Sequence, residues 1–176
     1  HSTYVQCRLP PGKRCLAYIW VFALKKEPDG KLRNEDAFKV RLCAAGHREI
    51  EGVDYFKELC SSPVARSSTI NLLLTYAVQN NFLVKQADYS AAFLRAKIPE
   101  NGPQTYLKPL HGMEMEPGMD CVRLLRGVYG LHSASSLWAE KLGSDLEELG
   151  FVKSKVDPAL FVRRGKPLDG EERGQI

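Results

Sequence analysis

Nowhere in its 176 residues does the chain carry an apolar run approaching the ~18 residues that a membrane-spanning helix requires. The opening His1-Ser-Thr-Tyr-Val also lacks the basic stretch leading into an apolar stretch that marks a secretory leader. The expectation is therefore an intracellular protein, cytoplasmic or nuclear, neither secreted nor bound in a membrane. Cysteine is sparse and unpatterned. Cys7, Cys15, Cys43, Cys60 and Cys121 are odd in number and never spaced as C-x-x-C, which argues against a disulfide framework or zinc ribbon and leaves them as reduced thiols. Cys43, His47 and Cys60 form a metal-like arrangement that lacks a fourth ligand, and a strand followed by a loop explains their spacing equally well. No internal repeat or low-complexity tract is present. Neither sign of charge dominates: 25 Lys+Arg against 21 Asp+Glu leave a net charge of +4, compatible with a polyanionic partner and diagnostic of none. The chain begins at His1 rather than Met, from which we expect either a piece of a longer polyprotein or a partial gene product.

What is present suffices for one core. At 44% hydrophobic content the expectation is one domain over residues 4–165 with a polar tail at 166–176. From Ala17 to Lys26 the chain is rich in aromatic and β-branched residues, and Glu27-Pro28-Asp29-Gly30 ends the run with turn chemistry. The strand expected to pair with it is Phe38 to Ala44, where Phe38, Val40 and Leu42 alternate with Lys39, Arg41 and Cys43. Lys39 and Arg41 then project from one face, roughly 7 Å apart. Ser67-Ser68-Thr69 offers N-cap oxygens to a helix carrying Ile70, Leu73, Leu74, Ala77 and Val78 at helical spacing, ending at Asn80-Asn81. Phe82 to Ala87 predicts a short strand delivering Asp88 at its C-terminal end. A helical stretch from Ser90 to Ala96 follows, closed by Pro99.

Gln104 to Lys108 and Cys121 to Leu125 predict further short strands. The stripe Trp138, Leu142, Leu146 and Leu149 predicts a helix capped by Ser133 or Ser135 and stopped by Gly150 with Phe151. Asp157-Pro158 breaks the chain before a strand from Ala159 to Arg163. Strands and helices in irregular alternation, without strict βαβ units, predict an α+β fold.

Several stretches carry more than periodicity. Trp20-Val-Phe, Phe38-Lys-Val-Arg-Leu, Glu51-Gly-Val-Asp-Tyr-Phe, Ser62-Pro-Val-Ala-Arg, Gln86-Ala-Asp-Tyr-Ser-Ala-Ala-Phe-Leu, Val128-Tyr-Gly-Leu and Ser154-Lys-Val-Asp-Pro-Ala-Leu-Phe together resemble, in order and spacing, the reverse transcriptase of copia-type retrotransposons. The resemblance covers nearly the whole chain. It implies a partial right-hand polymerase: a fingers hairpin plus an incomplete palm, stopping before the hairpin that bears the remaining catalytic acids. It also implies template-directed deoxynucleotidyl transfer assisted by Mg²⁺, with an RNA or DNA template-primer and deoxynucleotides as partners.

Residue by residue, the resemblance makes Asp88 the first catalytic carboxylate and a metal ligand, since Mg²⁺ prefers hard oxygen donors. Taken without it, Asp88 is a helix N-cap. Tyr89 is implied to add its backbone carbonyl. Phe93 matches an aromatic gate that collides with a ribose 2′-hydroxyl; its bland alternative is a buried helix aromatic. Lys39 and Arg41 match residues that grip the incoming triphosphate, where the alternative is a solvated strand face.

The chain also departs from the pattern. His132-Ser-Ala-Ser-Ser-Leu-Trp stands where the family usually has Lys-Gln-(Ser/Ala)-Pro-Arg-Ala-Trp, and Ala45 stands where a Lys precedes Gly46. No paired acids on an apolar strand follow Ala159, and Glu171-Glu172 has a polar turn context. The expectation is thus a polymerase fragment inactive by itself, with a non-catalytic nucleic-acid-binding or scaffold remnant of the same domain as the alternative.

Overall fold

In the computed structural model, which describes residues 2–32 and 37–164, helices and strands follow one another without a repeating unit. The order is β1 (Tyr4–Cys7), β2 (Cys15–Leu16), β3 (Tyr18–Leu24), β4 (Phe38–Ala44), α1 (Ser67–Gln79), β5 (Tyr106–Leu107), β6 (Cys121–Leu124), α2 (Ala134–Glu148), β7 (Val152–Lys153) and β8 (Phe161–Val162). This is a mixed helix and sheet composition. Two compact units result, the larger drawn from His1–Ser62 and Tyr89–Lys141 and the smaller from Pro63–Asp88 and Leu142–Ile176. The polar tail expected at 166–176 lies outside the described residues.

In the larger unit, a four-stranded sheet has the order β1-β6-β5-β2, antiparallel except for the parallel β2–β5 pair. β5 and β6 fall where the sequence predicts them. β1 and β2 were not expected, because four and two residues are too short to display a period; pairing with β6 and β5 makes them strands. Leu16, Leu107, Val122 and Leu124 turn inward and pack with Val128, Leu131 and Ala134. Leu107 and Val122 have no exposed surface, and each such side chain contributes about 1.5–3 kcal/mol of burial.

β3 and β4 form the expected antiparallel hairpin, in register from Tyr18 opposite Ala44 to Leu24 opposite Phe38. Its turn follows the predicted chemistry: Gly30 N–H donates to Glu27 O at 2.9 Å and Lys31 N–H to Asp29 Oδ1 at 3.0 Å. Gly30 takes the left-handed φ of 84°. The register places Trp20, Phe22, Leu24, Phe38, Val40 and Leu42 on one face, with Lys39 and Arg41 on the other. The apolar face nonetheless opens to solvent near the turn, where Phe22 is 75% and Phe38 78% exposed. Alternation sorted the faces correctly; burial depends on what lies across from them.

The smaller unit contains α1 and the β7–β8 hairpin. α1 ends as expected at Asn80, with Asn81 left-handed at φ 51°. Its start differs from expectation. None of Ser67, Ser68 and Thr69 occupies the N-cap position, which falls to Arg66 and has no side-chain cap of its own. The acceptor comes from afar: Asp157 Oδ2 accepts the Arg66 N–H at 3.0 Å, and the same carboxylate binds the Thr69 hydroxyl. Asp157 Oδ1 accepts the Ala159 N–H at 3.0 Å, so the residue both caps α1 and turns its own segment. The Thr69 hydroxyl, then the Arg66 and Ala159 N–H groups, hold this carboxyl below the usual carboxylate range.

α2 covers Trp138, Leu142 and Leu146 of the predicted stripe and ends one residue before Leu149; Gly150, at φ 83°, follows, with Phe151 N–H bonded to Leu146 O at 2.9 Å. Two expectations are corrected. Phe82 to Ala87 is not a strand: the segment is exposed and finds no ladder partner among the described residues, so its β propensity goes unrealised. Ser90 to Ala96 narrows to a 3₁₀ turn over Ala92–Arg95, entered through a left-handed Ala91 at φ 55°.

Candidate functional site

The Val128-Tyr-Gly-Leu motif docks against the end of β4, and glycine makes the contact possible. Ala44 N–H donates to Tyr129 O at 2.8 Å, and Cys43 and Tyr129 bridge in parallel. A Cβ on Gly46 would stand 1.7 Å from Gly130 O, and one on Gly130 would stand 2.1 Å from Ala44 O. Gly130 also holds φ at 92°. Backbones this close admit no side chain at either position.

The junction presents Tyr129 as a platform. The Arg41 guanidinium lies over its ring, Cζ 5.2 Å from the centroid. Phe93 meets the same ring edge-on, centroids 4.9 Å apart at 69°. Two residues that the sequence singled out, more than fifty positions apart, thus meet through a third that it noted only as part of a motif. Arg41 is half-buried, and its Nε is buried without a hydrogen-bond acceptor. Lys39 shares its strand face and is exposed.

The turn bearing Phe93 is held from outside. Arg126 donates to Leu94 O at 3.2 Å and Arg95 O at 3.1 Å, while Gly127 N–H donates to Ala96 O at 3.0 Å. Phe93 O sits 3.1 Å from where a Gly127 Cβ would be. Tyr89 is exposed and packs edge-on against Trp138 at 5.1 Å.

Asp88 belongs to the smaller unit, is exposed, and has no ion-pair partner among the described residues. It follows backbone without regular secondary structure, not the strand expected for it. Among the described residues, no group of three or more His, Cys, Asp or Glu side chains is placed to hold a metal ion, Cys43, His47 and Cys60 included. The Asp88 carboxylate is a single hard-oxygen donor of the kind Mg²⁺ takes alongside water and phosphate oxygens.

Beyond Gly130 the loop is anchored by charge. Buried Glu49 accepts both the His132 backbone N–H, at 2.9 Å, and the contact from its ring Nδ1, at 2.7 Å, on Oε2. Tyr55 stacks on that imidazole at 4.3 Å. Burial, followed by the charges of Glu51, Cys60 and Glu49, raises the Tyr55 hydroxyl above its ordinary range. Arg14 reaches Asp54 at 3.0 Å and also donates to Arg48 O, closing the loop that Glu49 begins. No sequence signal pairs Glu49 with His132. A shallow cleft lies beside Tyr55, Phe56, Ile98 and Leu137, but none of the expected site residues lines it.

A family model described as reverse transcriptase (RNA-dependent DNA polymerase) matches residues 1–172. The chain is 33% identical over 166 residues to the retrovirus-related Pol polyprotein from transposon TNT 1-94 of Nicotiana tabacum, covering 93% of this chain and 12% of that protein. It is 32% identical over 161 residues to the Pol polyprotein from transposon RE2 of Arabidopsis thaliana, covering 90% and 10%. Against the transposon Ty1-NL2 Gag-Pol polyprotein of Saccharomyces cerevisiae the identity is 28% over 161 residues, covering 85% and 8%. The chain therefore spans about a tenth of the length of these relatives. No solved structure matches it. Among the described residues no helix is long and apolar enough to cross a membrane.

Proposed function

We propose, from the premise that this chain belongs to the copia-type reverse transcriptase (RNA-dependent DNA polymerase) family, that it supplies the incoming-nucleotide grip of an RNA-directed DNA polymerase. The β3–β4 hairpin is the fingers element of a right-hand polymerase in this reading, and the segments after it contribute to the palm. The observation that carries it is the Arg41–Tyr129–Phe93 stack. A guanidinium clamped on an aromatic ring is oriented before its ligand arrives, so less freedom is lost on binding. Lys39 on the same strand face adds a second cation for a triphosphate.

Phe93, packed against the same ring, stands as the sugar gate. Its half-buried position and the bonds that pin its turn give the ring the rigidity that steric exclusion of a 2′-hydroxyl needs. Tyr89 and Asp88 offer a backbone carbonyl and a carboxylate to a metal, but no metal-dependent step is assigned to these residues alone. An RNA or DNA template-primer and deoxynucleotides are the proposed partners.

The test is binding of a deoxynucleoside triphosphate to the purified chain. Arg41→Ala is expected to weaken it about 10–100-fold, the loss of one or two charge-assisted hydrogen bonds, with unchanged far-UV circular dichroism. Arg41→Lys recovers only part, because an ammonium lacks the planar fork. Wild-type affinity in Arg41→Ala sinks the proposal. Primer extension with Mg²⁺ is expected to be absent in this chain; extension abolished by Asp88→Asn would contradict the fragment reading.

A second reading, a nucleic-acid-binding scaffold without catalysis, draws on the exposed Trp20, Phe22 and Phe38 of the hairpin, which suit base stacking. Template-primer affinity that falls with salt and is lost in Phe22→Ala, while triphosphate binding is nil, favours this second reading.

A further inference from the structure

Three of the five cysteines meet. Cys7 on β1 stands directly opposite Cys121 on β6, and their sulfur atoms are 3.4 Å apart. Cys15, at the start of β2, lies near enough for its charge to help raise the Cys121 thiol. The nucleotide grip uses none of the three. Their sequence positions carry no sign of the meeting, since the sheet order β1-β6-β5-β2 alone brings them to one place.

We propose that Cys7 and Cys121 form a reversible oxidation site, closing to a disulfide by exchange with a low-molecular-weight disulfide. The geometry favours closure. Directly opposed residues on antiparallel strands have Cα atoms about 4.5–5.5 Å apart, inside the roughly 4.4–6.8 Å that a disulfide spans. Side-chain rotation suffices to bring the two sulfurs from 3.4 Å to bonding distance.

Roles follow from exposure. Cys7 is partly exposed and Cys121 fully buried, so Cys7 is the sulfur a solution oxidant can reach. Burial first, then the neighbouring Cys7, Cys15 and Asp120, hold the Cys121 thiol in its protonated form. The Cys7 thiolate attacks one sulfur of the small disulfide and expels a thiolate. Cys121 passes its proton to that leaving group and attacks Cys7 Sγ, expelling the second small thiolate, which takes up the proton Cys7 had lost. One small disulfide and two protein thiols become one protein disulfide and two small thiols. The bond ties β1 to the buried strand β6, closing a long loop of the chain.

The experiment incubates the full 176-residue chain with glutathione disulfide, in native buffer and in urea, blocks the remaining thiols and maps the linked peptides by mass spectrometry. The expected native product joins Cys7 to Cys121, is lighter by two hydrogens, opens again with dithiothreitol and melts about 5 °C or more above the reduced chain. Cys15→Ser retains it and Cys121→Ser abolishes it. A native chain that forms no internal disulfide overturns the proposal. So does the same mixture of pairs in urea as in native buffer, which removes any role for the fold. A Cys121 crosslink that persists in Cys7→Ser and maps to Cys15 overturns the pairing proposed.

Discussion

The two units of this chain treat similar apolar content in opposite ways. In the larger, Leu107, Val122 and Leu124 are at most 1% exposed, enclosed by strands from residues 4–16 and 106–124 and by the Val128–Ala134 segment. In the smaller, α1 carries a comparable run of leucines, yet Leu72 is 69% exposed and Ala77 is the helix's one buried residue. The lesson is that an amphipathic pattern states which face is available for burial, while a core requires a second surface to meet it. The Arg41–Tyr129–Phe93 stack, proposed above as a nucleotide grip, stands on the first kind of structure, and Asp88 belongs to the second. A residue that must hold a phosphate or a sugar to within a fraction of an ångström benefits from the packed scaffold.

The sharpest way to break this comparison is at the junction of β4 with the Val128-Tyr-Gly-Leu motif. Gly130→Ala adds a Cβ 2.1 Å from a backbone oxygen at a positive φ, and we expect it to cost about 3 kcal/mol or more. Urea unfolding followed by the fluorescence of Trp20 and Trp138, both in the larger unit, measures it. A loss below about 1 kcal/mol would mean the junction yields easily.

Next comes a matched pair. Leu107→Ala should cost about 2–5 kcal/mol and Leu72→Ala within about 0.5 kcal/mol of nothing, because only the first empties a filled space. Equal costs would show that something covers α1 in solution and would dissolve the contrast between the units.

The smallest effect expected is pH dependence in the smaller unit. The Asp157 carboxyl is held below its ordinary range by Thr69, Arg66 and Ala159. Its contribution is therefore complete above the usual carboxylate range and is lost as pH falls through the lower folded value. Helical far-UV signal should decline over that acid window in the parent chain. Asp157→Ala, which removes both the cap and the titrating group, should start from a lower thermal midpoint and lose that part of the acid sensitivity. An identical acid profile in the variant would place the titration elsewhere.

Much of the local structure could be foreseen. The β3–β4 hairpin forms where its alternation and Pro-Asp-Gly turn predict it, with β4 at the expected bounds and β3 shorter than the Ala17–Lys26 run, and α2 stops just before the Gly150 that its stripe runs into. Lys39 and Arg41 do share a face. The failures have a common form. Phe82 to Ala87 has strand chemistry without a partner, and Ser67 to Thr69 offers cap oxygens that Asp157 displaces from 91 positions away. Tyr129 reads as one letter of a motif and turns out to be the surface on which Arg41 and Phe93 both rest. The Glu49–His132 contact and the meeting of Cys7, Cys15 and Cys121 had no local sign at all.

By itself, then, the sequence determined periodicity, turn chemistry, the sorting of strand faces and the family to which its motifs belong, because each depends on residues within a few positions of one another or on their order along the chain. Tertiary structure alone decided which apolar faces found cover, which carboxylate capped α1, which thiols became neighbours and which ring carried the arginine. Those outcomes are set by distances between segments remote in sequence, and a hydrogen bond, a ladder or a stacked ring exists only once the partner has arrived.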